Sequence, residues 1–462
     1  MQLTCKACLL GLLLPVVLNG QEIGLLRIDP DRPARQGEAA LWGGIEEGGY
    51  KPTYAGDFQW SAGADADFTR HGKTASWTGA LSFKQTIGHH MASSMFLEPE
   101  RYPFDVLEFV EGAKPRQDVR LALGFLTDIG YEWAAGLKAT AQGAYVSKRQ
   151  NVRHSSLGID VLLEPVVTFV MDDDMGLAST YKVRYRTENL QAEEDAGDLF
   201  LDQGMRYGTY QALGGHGVFP VQEFTHGFSE KLHSPEFSAG LEVLWKRGWA
   251  GGTSCERFTF PGDALSAFFR HTILSDKADH VYGASYSRER DWFLQAADGD
   301  AISLSGRNHR RAELTYEARF LDGILTKTGI TLDGNYWIER YLAEPRDHNQ
   351  RFDGTAKVHA TFSSRLVDLE VSFLGGDGWL KDPGTDGQVS DSRPEQLAED
   401  WLRKMDYFLT RRIGLGGTLT GRLPFVKGMF LQLHGYWYHA FDATLLPGTD
   451  REIATLKIGY KF

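Results

Sequence analysis

Three basic side chains recur at alternate positions in one short segment, at Lys182, Arg184 and Arg186. Side chains two positions apart on a strand point to the same face, so these three form a ladder of positive charge. Such a row can bind carboxylate or phosphate groups, or it can pair with acidic side chains of neighbouring strands. The ladder is the best candidate in the sequence for a path along which polar or anionic solutes move.

Charged side chains of both signs occupy the polar face of several other alternating segments. We expect them to line the same wet surface as the ladder. The alternative role for each is cross-strand pairing that holds the wall together. Besides the ladder, the candidate residues are Arg311, Glu313, Glu317, Arg319, Lys357, Asp368 and Glu370.

Histidine and serine offer the main catalytic alternatives. A hydrolase at a barrel rim needs a Ser nucleophile, a His base and an orienting carboxylate or amide. His154 and Ser155 are neighbours on a strand and therefore face opposite sides, and no spacing singles out His89, His90 or His348. We expect no catalytic residue, no metal site and no cofactor.

Strict alternation of apolar and polar residues predicts the elements that carry these side chains. Residues 311–320 alternate arginine, glutamate and threonine with alanine, leucine, tyrosine and phenylalanine. A soluble β-sandwich also alternates, but several segments here are longer than its usual strands of roughly 5–6 residues. Their charged polar faces and the aromatic residues near strand ends favour a transmembrane antiparallel up-and-down β-barrel.

The alternation predicts eighteen strands, with sixteen as the alternative count. An even number places both chain ends in the periplasm, and it sorts the connections into short periplasmic turns and long outer loops. The predicted long loops are 87–116, 190–233, 290–307, 340–351, 376–405 and 440–451. The predicted strands are 38–47, 56–69, 74–86, 117–127, 131–146, 154–170, 176–189, 234–246, 250–259, 265–274, 279–289, 308–320, 325–339, 352–363, 366–375, 406–423, 428–439 and 452–462.

One outer loop also contains a helical pattern. Ser392 followed by Glu395 forms a capping box, and Leu397, Trp401, Leu402 and Met405 fall on one helical face. We expect a short amphipathic helix that packs over the barrel mouth, meets a partner, or only shields the apolar contacts of its own loop.

The first twenty residues predict export from the cytoplasm. Lys6 precedes an apolar stretch from Ala7 to Leu18, and small or polar residues follow. We interpret 1–20 as a signal peptide, 21–37 as a short periplasmic segment and 38–462 as the barrel. The segment 21–37 is too short for the plug domain of a TonB-dependent transporter, so no plug is expected. Cys255 is the one cysteine after the signal peptide and cannot form an internal disulfide.

The last strand ends on an aromatic residue and alternates up to it. Tyr460 and Phe462 form a terminal pattern like the signal that the barrel insertion machinery reads. This ending, the Tyr102-Pro103-Phe104 stretch of the first long loop and the Tyr407-Phe408-Leu409 segment resemble an uncharacterised family of outer-membrane β-barrel proteins from Bacteroidota. The resemblance implies an architecture and no catalytic residues.

These observations predict a protein of the cell outer membrane. The net charge of -12 argues against nucleic acid as a partner, because a phosphate backbone requires clustered bases. We expect a passive channel, or the membrane component of an uptake complex, with a polar lumen of mixed charge. The alternatives are a non-conducting docking barrel that binds a surface partner through its loops, and an outer-membrane hydrolase. Expected partners are outer-membrane lipid and the insertion machinery, with a surface lipoprotein or a TonB-dependent transporter as further candidates.

Overall fold

A computed structural model describes most of the chain. It covers residues 35–150, 152–172, 175–192, 199–202, 211–213, 217–251, 258–297, 300–341, 346–386 and 394–462. The predicted signal peptide and most of the predicted periplasmic segment lie outside these residues, and the absence of a plug stays a prediction.

Alternating residues form strands that pair antiparallel around one closed barrel of eighteen strands, and two short further strands form a hairpin. The strands are β1 (Arg35–Glu47), β2 (Phe58–His71), β3 (Ala75–Ser94), β4 (Asp105–Asp128), β5 (Trp133–Lys148), β6 (His154–Asp172), β7 (Met175–Ala192), β8 (Leu199–Asp202), β9 (Gln211–Leu213), β10 (Gly217–His233), β11 (Phe237–Ala250), β12 (Phe258–Ile273), β13 (Ala278–Ala297), β14 (Asp300–Phe320), β15 (Leu325–Tyr341), β16 (Arg346–Ser363), β17 (Val367–Asp386), β18 (Arg412–Arg422), β19 (Met429–Ala440) and β20 (Asp450–Lys461). One helix, α1 (Glu395–Leu409), lies between β17 and β18.

Each barrel strand pairs with its neighbour in the chain, except that β7 pairs with β10 across the β8–β9 hairpin. The barrel closes where β1 pairs with β20. There Gly37 and Phe462 exchange two backbone hydrogen bonds of 3.0 Å. A Cβ at Gly37 would lie 2.6 Å from the Phe462 ring, so the seam requires glycine at this position.

The outer face of the barrel is apolar and the inner face is polar. On β13, Tyr282 and Tyr286 are exposed on the outside, whereas Asp291, of the opposite parity, is buried in ion pairs with Lys246 and Arg307. A soluble protein has its apolar face inside, and a closed barrel with the reverse arrangement is typical of one that spans a membrane. None of the described helices is long and apolar enough to cross a bilayer.

The count of eighteen strands is confirmed, but two errors in the predicted strands cancel. The predicted loop 190–233 contains β10, whose Pro220, Gly227 and charged residues obscure its alternation. The predicted strands 250–259 and 265–274 overlap the two ends of one strand, β12, in which Pro261 and Gly262 interrupt only the sequence pattern; residues 252–257 lie outside the described residues.

This exchange also changes the direction of one strand. The predicted turn at Arg247-Gly248 lies inside β11, and the actual turn spans 234–236. Therefore β11 runs away from the periplasmic end, opposite to the direction that the prediction gave it.

The remaining differences concern strand lengths and the helix. Strands such as β3 and β4 extend well into the predicted loop 87–116, which reduces its non-strand part to residues 95–104. The predicted strand 406–423 begins only at Arg412, because helix α1 continues to Leu409. The predicted helix is present, but Pro394 occupies its N-cap and no side chain caps it; Ser392 lies outside the described residues.

Candidate functional site

Residues 95–104, which we call the inward loop, turn into the barrel at the end opposite the seam residues Gly37 and Phe462, which the sequence predicts to be the extracellular end. The loop follows the third barrel strand, yet it contacts β14, the twelfth. Nine strands are half the circumference of an eighteen-stranded wall, so the loop crosses the lumen from one side to the other.

On β7, a buried glutamate holds the first part of the inward loop. Glu188 accepts hydrogen bonds from the backbone N–H of Leu97 at 2.7 Å and from the Tyr102 hydroxyl at 3.1 Å. Its third donor is the Ser156 hydroxyl on β6, at 2.6 Å. A carboxylate that accepts three hydrogen bonds fixes the loop against this wall.

Two ion-paired arginines hold the second part of the loop, one through β14 and the other through β10, the neighbour of β7. Arg307 of β14 donates to the carbonyl oxygens of Glu100 at 2.8 Å, Arg101 at 3.2 Å and Tyr102 at 3.3 Å, and it pairs with the buried Asp291 at 2.8 Å. Arg101 itself reaches Glu223 of β10 at 2.9 Å. The loop is thus bonded to three strands of the wall, β7, β10 and β14.

Aromatic side chains pack behind these polar contacts. Phe104 lies against Phe293 with ring centroids 5.1 Å apart, and Tyr102 meets Phe260 edge-on at 5.7 Å. The buried cluster also includes residues of β10 and of the β8–β9 hairpin. Its apolar burial fixes the loop in one position, beyond what the hydrogen bonds supply.

Helix α1 packs at the same end of the barrel. Leu397 packs with Leu107 of β4 and Phe200 of β8, while the Tyr50 hydroxyl donates to the Tyr407 carbonyl at 2.9 Å. The Arg351 guanidinium lies between the rings of Trp337 and Phe408, 4.6 Å from each centroid. Because the helix contacts several parts of the rim, it covers a part of the mouth beside the inward loop.

The helix face agrees with the predicted one at three of four positions. Leu397, Trp401 and Met405 are buried, whereas Leu402 is only half-buried. Lys404 is buried beside Asp400; burial alone would lower the pKa of Lys404, but Asp400 and Asp105 raise it above the ordinary lysine value. Lys404 therefore stays charged under the helix.

A cavity of about 1140 Å³ lies in the lumen beside the inward loop. Loop residues from Met95 to Arg101 line it, together with inward-facing side chains of strands from β1 round to β20. Its lining contains thirteen lysines and arginines against nine aspartates and glutamates. The cavity wall is therefore net positive, although the whole chain is acidic.

The predicted ladder lines this cavity, and all three of its members are ion-paired. Lys182 lies 2.5 Å from Glu242, and the Arg184 Nε lies 2.8 Å from Asp160. Arg186 bonds Asp160 and also the inward loop, through two contacts of 3.0 Å to Glu98. The ladder thus has both roles that its sequence allows, a charged surface and a cross-strand brace.

The inward loop also fixes the charge of Glu98. Surrounding protein alone would raise the pKa of this carboxyl, but Arg186 and Arg101 outweigh that effect and hold the pKa well below the usual glutamate range. Glu98 is therefore ionised wherever the loop is in place.

The other predicted lumen residues lie on the inner wall away from the ladder. Arg311 pairs with Glu313 at 3.0 Å and also contacts Asp333, and Glu317 pairs with Arg319 at 2.5 Å. Asp368 of β17 pairs with Arg422 of β18. Lys357 and Glu370 are half-buried, opposite Thr331 and Thr361 in register. Of the predicted lumen residues, only the three of the ladder lie at the cavity beside the inward loop.

The structure also places the residues of the predicted insertion signal and of the predicted catalytic alternative. Tyr460 and Phe462 are exposed on the outer face beside the seam, with ring centroids 6.3 Å apart. His154 faces the lumen, where its Nδ1 contacts the Val152 carbonyl at 2.9 Å, and Ser155 has the opposite parity.

Sequence reasoning missed the inward loop and its anchors Glu188, Glu223 and Arg307. One signal was available: 95–104 contains Met95, Phe96, Leu97, Tyr102 and Phe104, which a solvated outer loop would not expose.

Comparisons with known proteins found no matching family profile and no matching curated protein. Solved structures are similar in overall shape. The FrpB iron transporter from Neisseria meningitidis matches with a TM-score of 0.47 at 8% identity, over 94% of this chain and 81% of that one. The OccAB4 protein of Acinetobacter baumannii gives 0.39 at 9%, over 94% and 100%. The ferric-catecholate import receptor Fiu from E. coli K12 gives 0.43 at 8%, over 94% and 82%. Likenesses at these scores carry no inference about function.

Proposed function

We propose that this chain is an outer-membrane channel for small polar solutes, with the inward loop as its constriction. The observation that carries the proposal is the loop's course across the lumen, from the end of β3 to its bonds with β14, with further bonds to β7. A loop held in this way narrows the lumen without closing the wall, and it leaves side chains at the constriction to select what passes.

The charge at the constriction favours anionic over cationic solutes. The cavity lining has an excess of bases, and Arg186 and Arg101 lie where the loop meets the wall. Buried ion pairs reduce the field of each single charge, so we expect a preference between ions rather than exclusion of one sign.

The location in the outer membrane is part of the same proposal. An apolar outer face on a closed antiparallel barrel fits a bilayer, and the exposed Tyr460 and Phe462 beside the seam fit a signal for the insertion machinery. A surface lipoprotein or a TonB-dependent transporter remains a candidate partner at the extracellular rim.

Conductance of the purified protein in planar bilayers tests the channel. We expect discrete openings with a moderate anion preference. Replacing the ladder by K182Q/R184Q/R186Q should reduce the ratio of anion to cation permeability. The matched control R319Q/K357Q/R422Q removes three bases from the lumen away from the cavity and should change the ratio less. Unchanged selectivity in the ladder variant would remove the ladder from the mechanism.

One observation favours a second candidate function, a docking barrel. The inward loop, helix α1 and the β8–β9 hairpin together cover much of the mouth through buried contacts. A mouth held in this way can present a fixed surface to a partner. Bilayers without openings, combined with a stoichiometric partner that co-purifies, would support docking and contradict the channel.

Hydrolysis is not part of the proposal. Assays on phospholipid and peptide substrates test this. Turnover that is lost in H154A would support the hydrolase alternative.

A further inference from the structure

Five arginines stand on the outer face of β11 to β15, the face that meets lipid. Strand parity fixes their direction, because Arg288 and Arg290 alternate with the inward-facing Glu289 and Asp291. Arg310 alternates in the same way with the inward-facing His309 and Arg311. Arg247 and Arg340, which are exposed, complete the set.

Their height on the wall places them at the edge of the membrane. Arg288 is ten residues from Ala278 at the start of β13, and Arg310 is ten residues from Phe320 at the end of β14. At a tilt near 40°, ten residues rise about 25 Å, which is about the height of the apolar band of such barrels. An outward arginine is costly at the bilayer midplane and well tolerated near the interface. The headgroup level is therefore where these side chains are tolerated.

The arginines of this patch outnumber the acidic side chains beside them. Arg288 and Arg310 are direct register partners, and like charges opposite each other destabilise a sheet. Asp263 of β12 accepts from Arg290 at 2.7 Å and from Arg288 at 3.4 Å. Within the described residues, Arg310 forms no ion pair. One carboxylate thus faces several guanidiniums, and an anion is needed to complete the patch.

The wall from β4 to β7 shows that the patch is not a general property of the rim. There the outward row runs through Gln117, Tyr145, Leu157 and Asn189 of β4 to β7, in register with one another and without a charged residue.

We propose that Arg288, Arg290 and Arg310, flanked by Arg247 and Arg340, bind the phosphate of a phosphorylated glycolipid in the outer leaflet. The guanidinium fork matches phosphate oxygens in a bidentate manner, and exposed tyrosine and tryptophan rings beside the patch suit the sugar and the start of the acyl chains. Tyr286 lies below the patch and Trp292 above it, both exposed on β13.

Native mass spectrometry of the detergent-purified barrel tests the site, with diphosphorylated lipid A as the probe. We expect saturable retention of the lipid, a loss of affinity of at least about tenfold in R288Q/R290Q/R310Q, and little retention of dephosphorylated lipid A by either protein. The control R365Q/R403Q/R411Q removes the same charge from a turn, helix α1 and its C-terminal connection, and should bind as the parent does.

Two further measurements keep the outcome decisive. If the triple variant does not fold, D263N provides the reverse test, because removing the competing carboxylate should tighten lipid binding. Sodium phosphate at the same concentration should not compete; full competition would identify a site for free phosphate and overturn the proposal. Equal lipid retention by parent, triple variant and D263N would overturn it as well. Bilayer conductance of the triple variant should equal that of the parent, since these side chains lie outside the lumen.

Discussion

The two halves of the lumen are built differently. In the extracellular half, charged pairs are enclosed: Glu223 is 1% exposed and Asp291 is not exposed at all, and both connect to the inward loop through arginine. In the periplasmic half, Arg319 is 41% exposed and Arg422 is 50% exposed, in pairs that do not contact the inward loop.

For the channel that we propose, this difference indicates where the barrel resists passage. Enclosed charges interact strongly because little water screens them, and each makes several bonds. They therefore fix the geometry of the groups around them. Exposed pairs are screened by water and rearrange at little cost. We infer that selection occurs in the extracellular half, and that the periplasmic half is a wet vestibule.

Replacing the inward loop should have the largest effect. A variant in which residues 96–103 become a short Gly-Ser turn removes the crossing, so unit conductance should rise by at least about twofold as the open cross-section grows. Single-channel recording measures it. The control shortens the rim loop at 442–448, which does not cross the lumen. If both variants conduct as the parent does, the constriction lies elsewhere.

The next prediction compares how much one arginine from each half of the lumen contributes to the free energy of unfolding. R307M leaves three loop carbonyls without their donor and Asp291 without one of its partners, so it should lower the free energy of unfolding by about 2–4 kcal/mol. R422M breaks an exposed pair with Asp368 and two exposed bonds to the Ser364 and Arg365 carbonyls, which water can replace, and should cost less than about 1 kcal/mol. Urea unfolding in lipid vesicles measures both. Equal losses would contradict the difference between the two halves.

The sequence predicted the strands of the barrel wall more accurately than the loop contacts at the mouth. Alternation depends on neighbours two positions apart, so it located most strands and the lumen face of Lys182, Arg184 and Arg186 correctly. Gly227 and Pro220 weakened it in β10, and Pro261 divided β12 into two apparent strands. The contact of Arg307 with the inward loop joins residues about two hundred positions apart, as Arg307 and Arg101 are, and no local period encodes such a pairing.

The smallest expected effect concerns pH and Glu98. Its pKa in the folded protein is held below the unfolded value of 4.5, because Arg186 and Arg101 outweigh burial. The stability that it contributes is therefore complete above that value, and it is lost only as pH falls through the lower folded pKa. The open-channel current of E98Q should fluctuate more than that of the parent at about pH 8 and again at about pH 5, because Glu98 is ionised at both. E100Q, which removes a carboxylate from the same loop but not the bonds to Arg186, is the matched control. Equal fluctuation of E98Q and the parent at both pH values would show that Glu98 does not hold the loop, and it would shift that role to Glu188 and Arg307.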